Sequence, residues 1–315
     1  MARLLRSPAA HLYLLAPLVA EFLLGDFPVA LLPLLVPLSL WYGAGVLTIR
    51  ELVRRRGLGW PSLLVLGLAF GLAEEGLLTM SLFNPHYADQ DLLSPGHVAA
   101  LGIGVPWTVK VLLLHVVWSV AVPISLVELA HPDVAREPWL GRRGTTVAAV
   151  AWVGGAVVTF VSNYPAWGHF VASPAQLGVT AALVALLVVV ALHLPAQWPA
   201  VGSRTPAPAL VLVLALLAGA AMSLTSYGSV GLSLLSQLGG AAALGGMLVL
   251  RGPGWSPRHA LALCAGLLLT YGWHAFALLG PSVLGIVSGL AYLAIDVTVL
   301  ALVRRAVMTQ HPALG

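Results

Sequence analysis

The sequence predicts an all-α fold: a polytopic transmembrane helical bundle of about ten spans with N and C termini cytoplasmic. Three observations carry that expectation. Of 315 residues, 59% are hydrophobic and only 8% charged, where a soluble domain carries roughly a quarter charged residues. The apolar runs are continuous over about 18 to 25 residues, long enough for a helix to cross hydrocarbon and without the alternation of a barrel strand. The basic residues gather on alternate connections, as the positive-inside rule requires.

The spans follow in order. The first, His11 to Gly25, comes after Arg3 and Arg6; Glu21 interrupts it and no small-residue cleavage site follows, so it reads as a retained helix. The second, Phe27 to Ile49, ends in Arg50, Arg54, Arg55 and Arg56. The third runs from Pro61 to Phe83 and the fourth from Val105 to Leu129, with Arg136, Arg142 and Arg143 after it. Thr145 to Asn163 and Gln176 to Leu194 follow, then Ala207 to Thr225 behind Arg204. Ser229 to Leu250 and His259 to Leu279 are separated by Arg251 and Arg258, and Pro281 to Val303 ends in Arg304 and Arg305. The intervening loops Asn84 to Gly104 and Tyr164 to Pro174 contain no Lys or Arg. The chain therefore reads as one transmembrane domain, 1–315, with 84–104 as an outer loop lying over the cavity as a lid and 130–144 as a cytoplasmic loop.

Composition narrows the chemistry. The lone Cys264 leaves no pair for a disulfide framework, zinc ribbon or iron–sulfur cluster. The formal charge of +4 expresses topology, since no soluble fold presents a basic face to nucleic acid. Fourteen Arg to one Lys suggests a GC-rich prokaryotic genome, and hence a multi-pass protein of a prokaryotic cell membrane. No His-Glu-x-x-His, Gly-x-Ser-x-Gly or phosphate-binding Gly-x-x-x-x-Gly-Lys motif occurs. His86, Asp89, Asp91 and His97 read as ordinary loop polarity, and neither a cofactor nor a metal is expected. The expected partners are the lipid bilayer and a membrane peptide or small-molecule substrate; the oligomeric state is not legible.

Ionisable residues within apolar spans are costly, and each raises a functional hypothesis. Gly67, Gly71, Glu75 and Thr79 recur every four residues, a stripe of small and polar side chains that points Glu75 into the bundle. Glu74, about 100° away on a regular helix, is expected at a cavity edge or in a local pair. Thr108, His115 and Ser119 share a face of the next span, and helix ends place His115 at the depth of Glu75. Similar stripes end in Asn163 and His274, which with Glu21 complete the candidate cluster, although a tie between helices is the plainer reading of both. Lys110 is expected to snorkel to the interface. Asp296 is expected to bond Tyr292 or Thr298.

Ala73-Glu74-Glu75-Gly76-Leu77-Leu78, Phe83-Asn84-Pro85, and the stretch from His115 through Trp118-Ser119, Pro123 and Glu128 to Pro138-Trp139-Leu140 resemble an uncharacterised family of prokaryotic multi-spanning proteins. A more distant similarity is to the CPBP group of glutamic intramembrane proteases, whose pattern is a Glu-Glu pair with an Arg four residues on, then Phe-x-x-x-His, then His-x-x-x-Asn. Glu74-Glu75 and His115 fit by order and spacing. Thr79 stands at the Arg position and Val111 at the Phe; Asn163 and His169 fall only near the last motif. The resemblance implies that Glu75 and His115 polarise a water for attack on a peptide bond. The best reading is thus a CPBP-like intramembrane hydrolase. The alternatives are a proton-coupled transporter or permease and a noncatalytic membrane scaffold.

Overall fold

The computed structural model describes residues 7–166, 168–197, 200–223 and 229–310. Among them, ten helices occur in the expected order: α1 Pro8–Leu23, α2 Val29–Arg55, α3 Trp60–Leu78, α4 Val105–Ala130, α5 Arg142–Ala166, α6 Pro174–His193, α7 Pro208–Ser223, α8 Val230–Val249, α9 Pro257–Leu279 and α10 Val283–Gln310. Proline in the first turn opens α3, α4, α6 and α9, where its missing N–H costs nothing. Ser173 and Gln176 form a capping box on α6.

Eight of these helices are long and apolar enough to cross a membrane. α7, with 16 residues, and α1, with ten α-helical and six π-helical residues, each extend about 24 Å, short of a full hydrocarbon core. Arg3 and Arg6, and the expected end of the seventh span at Thr225, lie outside the described residues.

α3, α4 and α9 are the most enclosed of the long helices, while α5, α6, α8 and α10 turn most of their surface outward. That is the distribution expected when apolar side chains face lipid rather than a core. Inside, Trp118 stacks on Tyr271 with centroids 4.9 Å apart, beside Phe22 and Tyr292. A second core gathers Trp41, Tyr42, Phe70 and Leu12. Gly71 makes the α3/α4 contact possible, because a Cβ there would stand 2.6 Å from the His115 Cβ.

The arginine-bearing connections meet at one end of the bundle, the basic end. There Arg55 donates to the Leu140 carbonyl, His259 Nε2 lies 3.0 Å from the Pro206 carbonyl, and His11 lies 2.9 Å from His131. A buried clamp joins α2, α4 and the 131–141 connection. Arg50, with no exposed surface, donates to Glu128 at 3.0 Å, Glu51 at 3.1 Å and the carbonyls of Glu137 and Ala135 at 3.0 and 2.8 Å. Its guanidinium lies 3.2 Å from the Trp139 ring centroid. Arg54 adds a bidentate grip on Glu128 at 2.8 and 2.7 Å. Glu51 in turn accepts the backbone N–H groups of Trp139 and Leu140.

The opposite end departs from expectation in one respect. α3 stops at Leu78 instead of running to Phe83. Met80 takes a left-handed conformation at φ 55°, and the Thr79 hydroxyl bonds the Glu74 carbonyl at 3.1 Å, competing with the helical ladder. The chain from Thr79 to Leu82 and Asn84 is nevertheless buried. Irregular backbone at membrane depth is tolerated only inside protein or along a cavity. Beyond it, a two-residue hairpin pairs His97–Val98 with Ile103–Gly104 before α4 begins.

Candidate functional site

Among the described residues, four helices contain a π-turn, and each π-turn carries part of one polar cluster. They are Leu18–Leu23 in α1 with Glu21, Ser39–Gly43 in α2 with Tyr42, Glu74–Leu78 in α3, and His115–Ala121 in α4 with Ser119. A π-turn accommodates an extra residue by bonding i to i+5, and such turns are frequent at functional sites. The Thr79 N–H bonds the Glu74 carbonyl at 2.9 Å in that pattern.

The wider turn overturns the expectation that Glu74 and Glu75 face different surroundings. Both carboxyls face the same imidazole. His115 Nε2 is 2.8 Å from Glu75 Oε1, and Nδ1 is 3.5 Å from Glu74 Oε2 and 3.2 Å from the Ser119 hydroxyl. The contacts to Glu75 and Ser119 are hydrogen bonds, whereas Glu74 Oε2 lies within ion-pair range of the ring, buried without a hydrogen bond. The contact bears out the common depth of Glu75 and His115, with α3 ending earlier than expected. Glu75 is three residues from the end of α3 and His115 ten from the start of α4, so α3 ends about 10 Å short of where α4 begins.

Glu75 is held from its other side. Ser81 donates to its Oε2, and the Thr79 hydroxyl lies 3.2 Å from the same oxygen. The Trp107 indole N–H donates to Ser81 at 3.2 Å. Glu74 accepts the Tyr42 hydroxyl at 2.6 Å, and Glu21 is also a hydrogen-bond partner of that hydroxyl. The Tyr42 ring stacks over His115 at 6.2 Å, and Phe70 meets the imidazole edge-on at 6.0 Å. Glu74, Glu75 and His115 are all at most 7% exposed.

The result is a polar cluster of Glu21, Tyr42, Glu74, His115, Glu75, Ser81 and Trp107, drawn from α1 to α4. One ligand atom from each of Glu74, Glu75 and His115 lies within 4.8 Å of the others, a donor set that could hold a cation.

The remaining expected residues lie apart from this cluster. The Asn163 amide bonds the Thr159 carbonyl at 2.9 Å on its own helix. His274 Nδ1 is 3.3 Å from the Leu24 carbonyl and ties α9 to the turn after α1. There Gly25, at φ 103°, brings the backbone so close to α9 that a Cβ would be 2.7 Å from the Ala275 Cα. Lys110 is half-buried on α4. Asp296 bonds neither expected partner. The Tyr292 hydroxyl donates to the Phe27 carbonyl at 2.7 Å and Thr298 to Ala294 at 2.7 Å, leaving both Asp296 oxygens buried without a hydrogen bond.

Sequence reasoning missed Tyr42, Ser81, Trp107 and the Arg50 clamp. Ser81 was masked by extending α3 too far. Arg50 looked like one of four loop cations, although Glu51 and Glu128 were legible as acids beside the same end.

On comparison with known proteins, the model of a family described as an uncharacterized membrane protein family matches residues 11–305. No curated protein and no solved structure matches.

Proposed function

The chain belongs to this uncharacterized membrane protein family, and from its buried Glu/His cluster we propose that it is an intramembrane hydrolase. One observation carries the reading: His115 bridges Glu75 and Glu74 inside the bundle, at 2.8 and 3.5 Å, where helix α3 breaks off. A carboxylate paired with an oriented imidazole is the arrangement that activates water. Glu75 would take a proton from a water attacking the carbonyl carbon of a substrate bond. His115, steadied by Glu74, Ser119 and the stacked Tyr42 ring, would return a proton to the leaving group as the bond breaks. The Ser81 and Thr79 hydroxyls fix the Glu75 carboxyl. The substrate class is a membrane-embedded peptide, the role that the CPBP resemblance assigns to Glu75 and His115. In this reading both termini face the cytoplasm of a prokaryotic cell and the 84–104 segment covers the site from outside.

A second reading, a proton-coupled carrier, is favoured by the grouping of Glu21, Tyr42, Glu74, His115 and Glu75 inside the bundle, acid–base groups that could hand on a proton. One experiment separates them. Purified protein is incubated with a library of membrane peptides while the same preparation, in liposomes, is assayed for proton-driven solute flux. Cleavage that disappears in Glu75→Gln supports the hydrolase. Flux without cleavage, equally dependent on Glu75, replaces it with the carrier. Stoichiometric metal retained by wild type and lost in His115→Ala overturns the metal-free mechanism.

A further inference from the structure

A groove of about 950 Å³ opens at the basic end, between the end of α2 and the first turns of α5. Its lining changes character along its length. Arg55 and Arg142 stand at one end, Thr145 and Thr146 follow, and Val150 and Val153 form the other end. From Arg142 to Val153 the helix rises about 16 Å, the span from a lipid phosphate to the upper acyl chain. The valines face outward, 67% and 66% exposed, on a helix long and apolar enough to cross a membrane.

The two arginines are differently engaged. Arg55 bonds the Leu140 carbonyl and lies 3.4 Å from Glu51, so its position is fixed. Arg142 is exposed and forms no ion pair among the described residues. The first turn of α5 contains no acid, so Arg142 and Arg143 stand at the positive end of the helix dipole with nothing to offset them. The Thr145 and Thr146 hydroxyl protons are spent on the Gly141 and Arg142 carbonyls, at 3.2 and 3.1 Å. Cations must therefore supply the recognition.

We propose that this groove is a binding site for one anionic phospholipid, its phosphodiester between Arg55 and Arg142 and an acyl chain along Val150 and Val153. Charge complementarity selects an anion, and the outward valine end selects one with a hydrocarbon tail. A soluble phosphate would leave that half empty. Basic pockets between helices at the positively charged side of a membrane protein are suited to such headgroups. The site lies at the opposite end from Glu75 and does not depend on the hydrolase reading.

The test uses the full chain in mild detergent, with native mass spectrometry to count retained lipid and nanodisc titrations of phosphatidylglycerol against phosphatidylcholine. Wild type should retain one phosphatidylglycerol in preference to phosphatidylcholine. Arg142→Gln should weaken that preference about fivefold, the loss of one near-surface cation. Thr146→Trp, which fills the groove without changing charge, should reduce retention as well, and Arg305→Gln should leave it unchanged. Equal binding by Arg142→Gln and wild type overturns the proposal. So does an equal loss in Arg305→Gln, which would mean diffuse surface charge, or displacement of the lipid by inorganic phosphate alone, which would mean an anion site without a tail.

Discussion

Replacing Glu75 by glutamine and by alanine separates the carboxyl's charge from its hydrogen bonds. Glu75 accepts from His115 Nε2 at 2.8 Å, from Ser81, and from Thr79 at 3.2 Å, all in the buried interior. With glutamine, the amide oxygen can face His115 while its NH2 faces two hydroxyls able to turn and accept. The loss is then chiefly the charge-assisted part of one bond, about 2 kcal/mol. Alanine leaves His115 and Ser81 without that acceptor, at about 1–3 kcal/mol each, while Thr79 keeps the Glu74 carbonyl, so its cost should be about 2–6 kcal/mol. Reversible unfolding in mixed SDS micelles, followed by tryptophan fluorescence, measures both. A double-mutant cycle of Glu75→Gln with His115→Ala should return a coupling of about 2 kcal/mol. Coupling within about 0.5 kcal/mol of zero is what independent sites give, and it would refute the pairing of Glu75 with His115 and any mechanism built on it.

Other outcomes follow from the same geometry. Gly71→Ala pushes a methyl against the His115 Cβ, so it should abolish activity as Glu75→Gln does, although it removes no polar group; wild-type turnover would mean the ring position is unimportant. Glu128→Gln leaves Arg50 and Arg54 short of a buried counter-charge and should destabilise by about 3–5 kcal/mol, whereas exposed Arg56→Gln should change the unfolding midpoint little. His131 lies outside the spans, and burial together with neighbouring His11 lowers its pKa. The unfolded chain therefore takes up the proton first. The contribution of neutral His131 is complete above about pH 6.5 and is lost as pH falls below that value. Melting curves from pH 8 to pH 5 should accordingly fall more for wild type than for His131→Gln. Cysteines at exposed Asp89 and Ser94 should react with a membrane-impermeant reagent added to intact cells; protection of both would contradict an outer placement of that loop.

Much of the bundle was legible because hydrophobicity acts over twenty residues at a time. The ten apolar segments and the alternation of arginines survive errors of several residues at each end. The Glu75–His115 contact was legible from the Gly67–Gly71 stripe, which lets two helices approach. Glu74 was not, because a regular 100° step turns it away, and only the π-turn brings it back to the same ring. No composition rule places a π-turn. It arises where side chains such as Thr79 compete for carbonyls and tertiary packing accepts the wider turn. Asn163 and His274 shared the stripe signature of Glu75, yet a stripe fixes only which face meets a neighbour, and both residues spend bonding capacity on nearby backbone.

The clamp at the basic end has a mechanical meaning. Arg50 and Arg54 fasten α2 to α4 and to the 131–141 connection through carboxylates and carbonyls at once. At the other end α3 stops early and gives way to irregular chain. The buried ion pairs of the clamp all lie at the end away from Glu75, so a rearrangement of the chain after Leu78 that exposed His115 would leave them intact.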